Sequence, residues 1–175
     1  MMADSNIMQN IFIDKVVLNI GIGPNEEMYQ NAKLLLEKLT DEKPVPNVSK
    51  KRRPELKLRR GQVIGAMVTL RNEKASEMLK RAIAANDSVI SGRSISNNSL
   101  SFGVKEYIYF SGVKYDPKIG MLGLNVNISF TRPGRRIEER RRSRSAVGRR
   151  HKSISREEIT SYMEKSFGAK VEGER

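Results

Sequence analysis

Between Leu122 and Thr131 apolar and polar residues alternate: Leu124, Val126 and Ile128 are separated by Asn125, Asn127 and Ser129. Successive side chains of a strand point to opposite faces, so this stretch demands a sheet with one buried face and one polar face. Asp14 to Ile22 makes the same demand. Val16, Leu18 and Ile20 share one side, Val17 and Asn19 take the other, and Gly21, Gly23 and Pro24 end the run. Gln62 to Leu70 reads as a further strand. So does Phe102 to Phe110, with Tyr107 and Tyr109 expected on one face.

Helices separate the early strands. Asn25 can cap a helix whose first turn carries Glu26 and Glu27, favourable at the positive end of the macrodipole. Met28, Ala32, Leu35, Leu36 and Leu39 recur at helical spacing as far as Thr40, predicting one buried stripe. A second helix is expected over Glu73 to Ala85, with Met78, Leu79, Ala82 and Ile83 inward. Ser88 to Asn98 is polar and Ser-rich, a loop or a weak edge strand. Near the end, Ser155 and Glu158 form a capping box, Ile154 and Ile159 stand where a hydrophobic staple needs them, and Gly168 is the expected C-cap. The later strands follow one another with no helix between. That order predicts α+β: a mainly antiparallel sheet with helices packed on one face, the other face left open.

Charge decides what an open face could meet. Lys and Arg number 33 against 20 acids, for a net charge of +13 and a pI near 10.2. A field of that sign attracts polyanions. It is concentrated in two segments. Pro44, Pro46 and Pro54 interrupt the first, where Lys50, Lys51, Arg52, Arg53, Lys57, Arg59 and Arg60 crowd an exposed loop. The second, Arg132 to Lys152, holds Arg135, Arg136, Arg140, Arg141, Arg142, Arg144, Arg149 and Arg150 with few apolar residues, and would repel itself if left alone. Arginine suits bidentate phosphate contact and stacking on bases. The chain is therefore divided into a core over 1–131 with a basic loop at 44–61, a basic arm over 132–153, and a C-terminal segment over 154–175 whose helix packs on the core.

The same residues argue against catalysis. Cysteine is absent, and the lone His151 lies among Arg and Lys, a poor place for a general base or a cation ligand. Gly21-Ile22-Gly23 resembles the opening of a dinucleotide fingerprint, but Glu26 stands where the third glycine belongs and would repel a pyrophosphate. The paired acids Glu26–Glu27, Glu138–Glu139 and Glu157–Glu158 fall at helix starts or in basic runs. No cofactor is implied, and nothing meets the geometry of an active site. No apolar run approaches the roughly 20 residues of a membrane span. The opening Met1-Met2-Ala3-Asp4-Ser5-Asn6 lacks the pattern of a secretory signal, and the absence of cysteine fits a reducing, cytoplasmic setting. Phe102, Tyr107 and Tyr109 are candidates for stacking on bases, with core packing as their other role. A basic DNA-binding or chromatin protein is the competing reading; it lacks a helix-turn-helix pattern and dimerising heptads.

Several short segments, in order, resemble one family. They are Lys15-Val16-Val17-Leu18-Asn19-Ile20-Gly21-Ile22-Gly23, Lys43-Pro44-Val45, Lys57-Leu58-Arg59-Arg60-Gly61 with Ile64-Gly65, Val68-Thr69-Leu70-Arg71, Phe102-Gly103-Val104-Lys105-Glu106 and Tyr115-Asp116-Pro117. The set is similar to the large-subunit ribosomal protein number five, and the tail from Arg135-Arg136 to His151-Lys152-Ser153-Ile154-Ser155 resembles its archaeal and eukaryotic branch, with the archaeal type expected. The resemblance implies a sheet that binds 5S ribosomal RNA in the central protuberance, with Lys15, Asn19 and Thr69 on the RNA-facing surface and Lys43 and Arg71 beside them. It implies that the loop over Lys50 to Arg60 reaches 23S ribosomal RNA and the P-site transfer RNA. Other ribosomal proteins of the central protuberance and the small-subunit head are implied neighbours. The family's usual Gly-Gln before Lys-Pro is Asp41-Glu42 here, so no contact is carried over to Glu42.

Overall fold

The computed structural model describes residues 6–173. The expectation about a secretory signal rests on residues that, apart from Asn6, lie outside that range, as do the last two residues of the C-terminal segment. The strands are β1 (Phe12–Gly21), β2 (Val45–Val48), β3 (Val63–Leu70), β4 (Val89–Ser91), β5 (Ile95–Ser96), β6 (Ser99–Val104), β7 (Leu124–Thr131) and β8 (Lys170–Glu172). The helices are α1 (Glu26–Thr40), α2 (Asn72–Ala84), α3 (Arg136–Glu139), α4 (Arg149–Lys152) and α5 (Arg156–Phe167). Six strands form one sheet in the order β2-β3-β1-β7-β6-β5, and every neighbouring pair is antiparallel. The α+β architecture is as expected.

Alternation in the sequence becomes layering in the fold. Val16, Leu18 and Ile20 of β1, Ala66, Val68 and Leu70 of β3, and Leu124, Val126 and Ile128 of β7 are all buried in one core. The stripes Ala32, Leu35, Leu36 and Leu39 of α1 and Met78, Leu79, Ala82 and Ile83 of α2 close over them. Full burial of each Val, Leu, Ile or Met side chain contributes about 1.5–3 kcal/mol. Asn25 caps α1 by accepting from the N–H groups of Glu27 and Met28 at 3.1 and 3.4 Å. Pro46 is tolerated in β2 because that strand is an edge, where a missing N–H leaves no ladder bond unmade.

At the C-terminal end, Ser155 accepts from the Glu158 N–H while the Glu158 carboxylate accepts from the Ser155 N–H, the reciprocal box expected there. Ile154, Ile159 and Met163 are fully buried, and Tyr162 meets Phe130 edge to face with ring centroids 5.9 Å apart. Gly168 ends α5 at φ +63°, a conformation that suits glycine. The chain then adds β8 beside β4, a parallel pair that the polar composition of Ser88 to Asn98 does not announce.

Three expectations fail. Met28 is 44% exposed, because it lies at the first turn of α1 beyond the edge of the buried stripe. The strand expected over Phe102 to Phe110 stops at Val104, and Tyr107–Tyr109 form a 3-10 turn. Tyr107 and Tyr109 therefore do not share a face. Tyr107 is fully buried and its hydroxyl accepts the Asp116 N–H at 3.0 Å, whereas Tyr109 faces solvent. Burial of Tyr107 and Phe102 removes both from base stacking.

Candidate nucleic-acid interface

Antiparallel partners point to the same side of a sheet, so the register lays out the face opposite the helices row by row. One row runs Val45, Met67, Asn19, Asn125, Gly103 across five strands. The next runs Thr69, Val17, Asn127, Ser101, and a third runs Lys15, Ser129, Ser99. Asn19 and Thr69 thus fall on one surface, with Lys15 at its edge. Asn125, Asn127 and Ser101 belong to it too. They are absent from the binding residues expected on sequence grounds, although the alternation of β7 is the signal that places two of them there. Asn19 Oδ1 is buried and has no hydrogen-bond donor. An amide oxygen in that state leaves its hydrogen-bonding capacity unmet in the free protein.

The basic loop leaves this face between β2 and β3. Ser49 anchors its base, donating its hydroxyl to the Lys51 carbonyl and its N–H to the Gln62 carbonyl, and Arg53 and Leu58 exchange backbone hydrogen bonds across its neck. Lys50, Lys51, Arg52, Arg53, Lys57, Arg59 and Arg60 are all exposed, and none forms an ion pair among the described residues. Lys43 is likewise exposed and stands just before β2.

Other charges have partners within the chain. Arg71, expected beside the RNA face, donates to Asp14 Oδ1 at 2.8 Å. Glu42 pairs with Lys74, which raises the lysine's pKa through their hydrogen bond and explains how an acid is accommodated at this position. Lys38 pairs with Asp116 and, with the Lys118 N–H, holds that carboxyl below its ordinary range.

The arm is tied at both ends. Arg132 Nη2 donates to Glu158 at 2.6 Å, His151 Nε2 meets the Pro133 carbonyl at 2.8 Å, and Lys152 pairs with Glu138 at 2.7 Å. Its tip turns on bonds from Arg140 Nε to the Ser143 carbonyl and from Arg144 Nε to the Arg140 carbonyl. Arg140, Arg141 and Arg142 project there, exposed, while Arg135 and Arg136 remain near the base.

Residues 63–161, more than half of the chain, match the model for the C-terminus of the ribosomal L5 family, and residues 6–59 match the one described as Ribosomal protein L5. The chain belongs to the ribosomal protein L5 family. It is 41% identical over 165 residues to the large ribosomal subunit protein uL5 of Nanoarchaeum equitans, an alignment covering 94% of this chain and 97% of that protein. It is 45% identical over 158 residues to the uL5 of Aeropyrum pernix, covering 89% and 82%, and 38% identical over 168 residues to that of Methanosphaera stadtmanae, covering 95% and 99%. The ordered motifs identify the family correctly. As an L5 protein the chain is a structural component rather than an enzyme. The two matched L5 segments meet inside the basic loop, yet β2 and β3 pair across that boundary, so both segments share one sheet.

Proposed function

We propose that this chain is a constituent of the large ribosomal subunit in the cytoplasm that binds 5S ribosomal RNA on the open sheet face. Asn19, Thr69 and Lys15 make the contacts, with Lys43 and Arg71 at the margin. The loop carrying Lys50, Lys51, Arg52, Arg53, Lys57, Arg59 and Arg60 reaches 23S ribosomal RNA and the P-site transfer RNA. The arm, as the segment between a core over 1–131 and the C-terminal helix, adds phosphate contacts through Arg135, Arg136, Arg140, Arg141 and Arg142. Neighbouring proteins of the central protuberance and the small-subunit head complete the set of partners. No described helix is long and apolar enough to cross a membrane.

The observation that carries this reading is the combination of an unsatisfied Asn19 amide on an uncovered polar face with a neighbouring loop of cations lacking acidic partners. Polar groups on an open surface can read ribose hydroxyls and base edges, while cations release counterions from phosphates. A gel-shift series tests it. Affinity for a 5S transcript should fall steeply with salt and exceed that for duplex DNA of equal length. Equal binding to both would favour a chromatin-type protein instead.

A further inference from the structure

At Asp14 the pairing of β1 with β7 slips. Ile13 faces Phe130 and Lys15 faces Ser129, so Asp14 is an extra residue bulged out of the ladder. A one-residue slip flips everything beyond it to the other face. Without the bulge, Phe12 would share the parity of Val16, Leu18 and Ile20 and point into the core. With it, Ile13 turns inward beside buried Phe130, and Phe12, paired with Thr131, is left 43% exposed.

The displaced ring does not face open water alone. Phe12 and Asp14 line a cleft of about 260 Å³ with Arg132, Arg135, Arg136 and Glu139 at the base of the arm. Two guanidinium N–H groups here, Arg132 Nε and Arg135 Nε, are buried and donate to no partner. Glu139 stands 3.2 Å from Arg135 Nε, an ion-pair separation that makes no hydrogen bond. Asp14 is engaged by Arg71. A partly exposed Arg135 and an exposed Arg136 beside an exposed aromatic ring are the two halves of a nucleotide site: guanidinium groups for the phosphate and a ring for the base.

We propose that this cleft binds one unstacked nucleotide of single-stranded RNA, its base on Phe12 and its phosphate on Arg135 and Arg136, with Arg132 held behind them. The inference rests on the RNA-binding reading above and adds to it a site with a base contact, in line with Lys15 and Ser129 on the open face.

The test uses the full chain and a short fluorescent oligoadenylate, followed by anisotropy, with a 5S transcript in parallel. Phe12→Ala and Phe12→Leu should each weaken oligoadenylate binding roughly tenfold, and Phe12→Trp should retain it, with its indole fluorescence quenched on binding. The Arg135→Gln, Arg136→Gln double variant should bind more weakly and with a shallower salt dependence. Wild-type affinity in Phe12→Leu, or equal affinity for oligoadenylate and an abasic ribose-phosphate chain, overturns the base contact. If the Phe12 variants bind oligoadenylate normally while Asn19→Ala still weakens the 5S transcript, this site alone is wrong. If the wild-type chain ignores the 5S transcript, the functional reading beneath it is wrong as well.

Discussion

Asn98 Oδ1 accepts the backbone N–H of Ile154 at 2.7 Å across a separation of 56 residues, and through that bond the turn between β5 and β6 holds the end of the basic arm. The same amide donates to the Lys152 carbonyl at 2.7 Å, and the Asn98 carbonyl accepts the Phe130 N–H at 2.9 Å. One residue thus touches the chain just before the arm begins and just as it ends. Its φ of +64° suits asparagine, whose short side chain tolerates the left-handed region better than most.

Loosening that tie separates bonding from backbone conformation. Asn98→Gly keeps the dihedral and loses two side-chain bonds, so stability should fall by about 1–2 kcal/mol in urea titrations. Asn98→Ala should lose about 1 kcal/mol more, because alanine resists the left-handed region. In both, limited trypsin cleavage within Arg140 to Arg144 should accelerate. Unchanged cleavage would mean that the arm holds its form without Asn98.

Asn19 offers the opposite test. Its Oδ1 is buried with no donor, so Asn19→Ala removes an unsatisfied group and should leave thermal stability within about 0.5 kcal/mol of wild type or slightly above it. Binding to a 5S transcript should nonetheless weaken by about 1–3 kcal/mol, since an RNA donor then loses its acceptor. A variant that melts early and binds normally would reverse the assignment of this residue from ligand contact to structural element.

Close packing of backbone is tested at Gly65. A Cβ there would stand 2.4 Å from the Ile20 carbonyl oxygen, which belongs to the paired strand and cannot swing aside. Gly65→Ala should cost about 3 kcal/mol by forcing β1 and β3 apart. Gly61→Ala serves as the contrast. That glycine has φ +80° but open space around it, so its cost is conformational only, about 1 kcal/mol.

Acid sensitivity should appear at Asp116. The Lys38 hydrogen bond, and then the Lys118 N–H, hold its folded pKa below the ordinary 3.8. A depressed carboxylate stabilises the fold above that ordinary value, and the contribution disappears as pH falls through the lower folded value. Denaturation midpoints recorded downward from pH 5 should therefore drop less steeply in Asp116→Asn than in wild type. Parallel curves would show that the pair contributes nothing.

Legibility follows the range of the forces involved. The cap of α1 at Asn25, the box at Ser155 and Glu158, and the buried parity of β1 and β7 are set by residues within a few positions of one another, and these are readable. Tyr107 misleads because its aromatic neighbour suggests strand alternation, while the chain enters a 3-10 turn there and the Tyr107 hydroxyl accepts an N–H from Asp116, nine residues on. Met28 misleads because helical periodicity fixes direction around an axis but not where the covering sheet stops. On the open face, Asn19 and Thr69 are named on the family resemblance; the alternation of β7 puts Asn125 and Asn127 on a polar side, and only strand order brings them and Ser101 beside Asn19.

By itself, the sequence determined the α+β class, the family and the two concentrations of positive charge, since periodicity, capping and charge are local properties that survive without coordinates. Only the tertiary structure decided that Arg71 is drawn to Asp14, that Asn98 ties down the arm, and that the bulge at Asp14 turns Phe12 toward Arg135. Each depends on which strands become neighbours and in what register, and a single inserted residue reverses that outcome without changing any local preference.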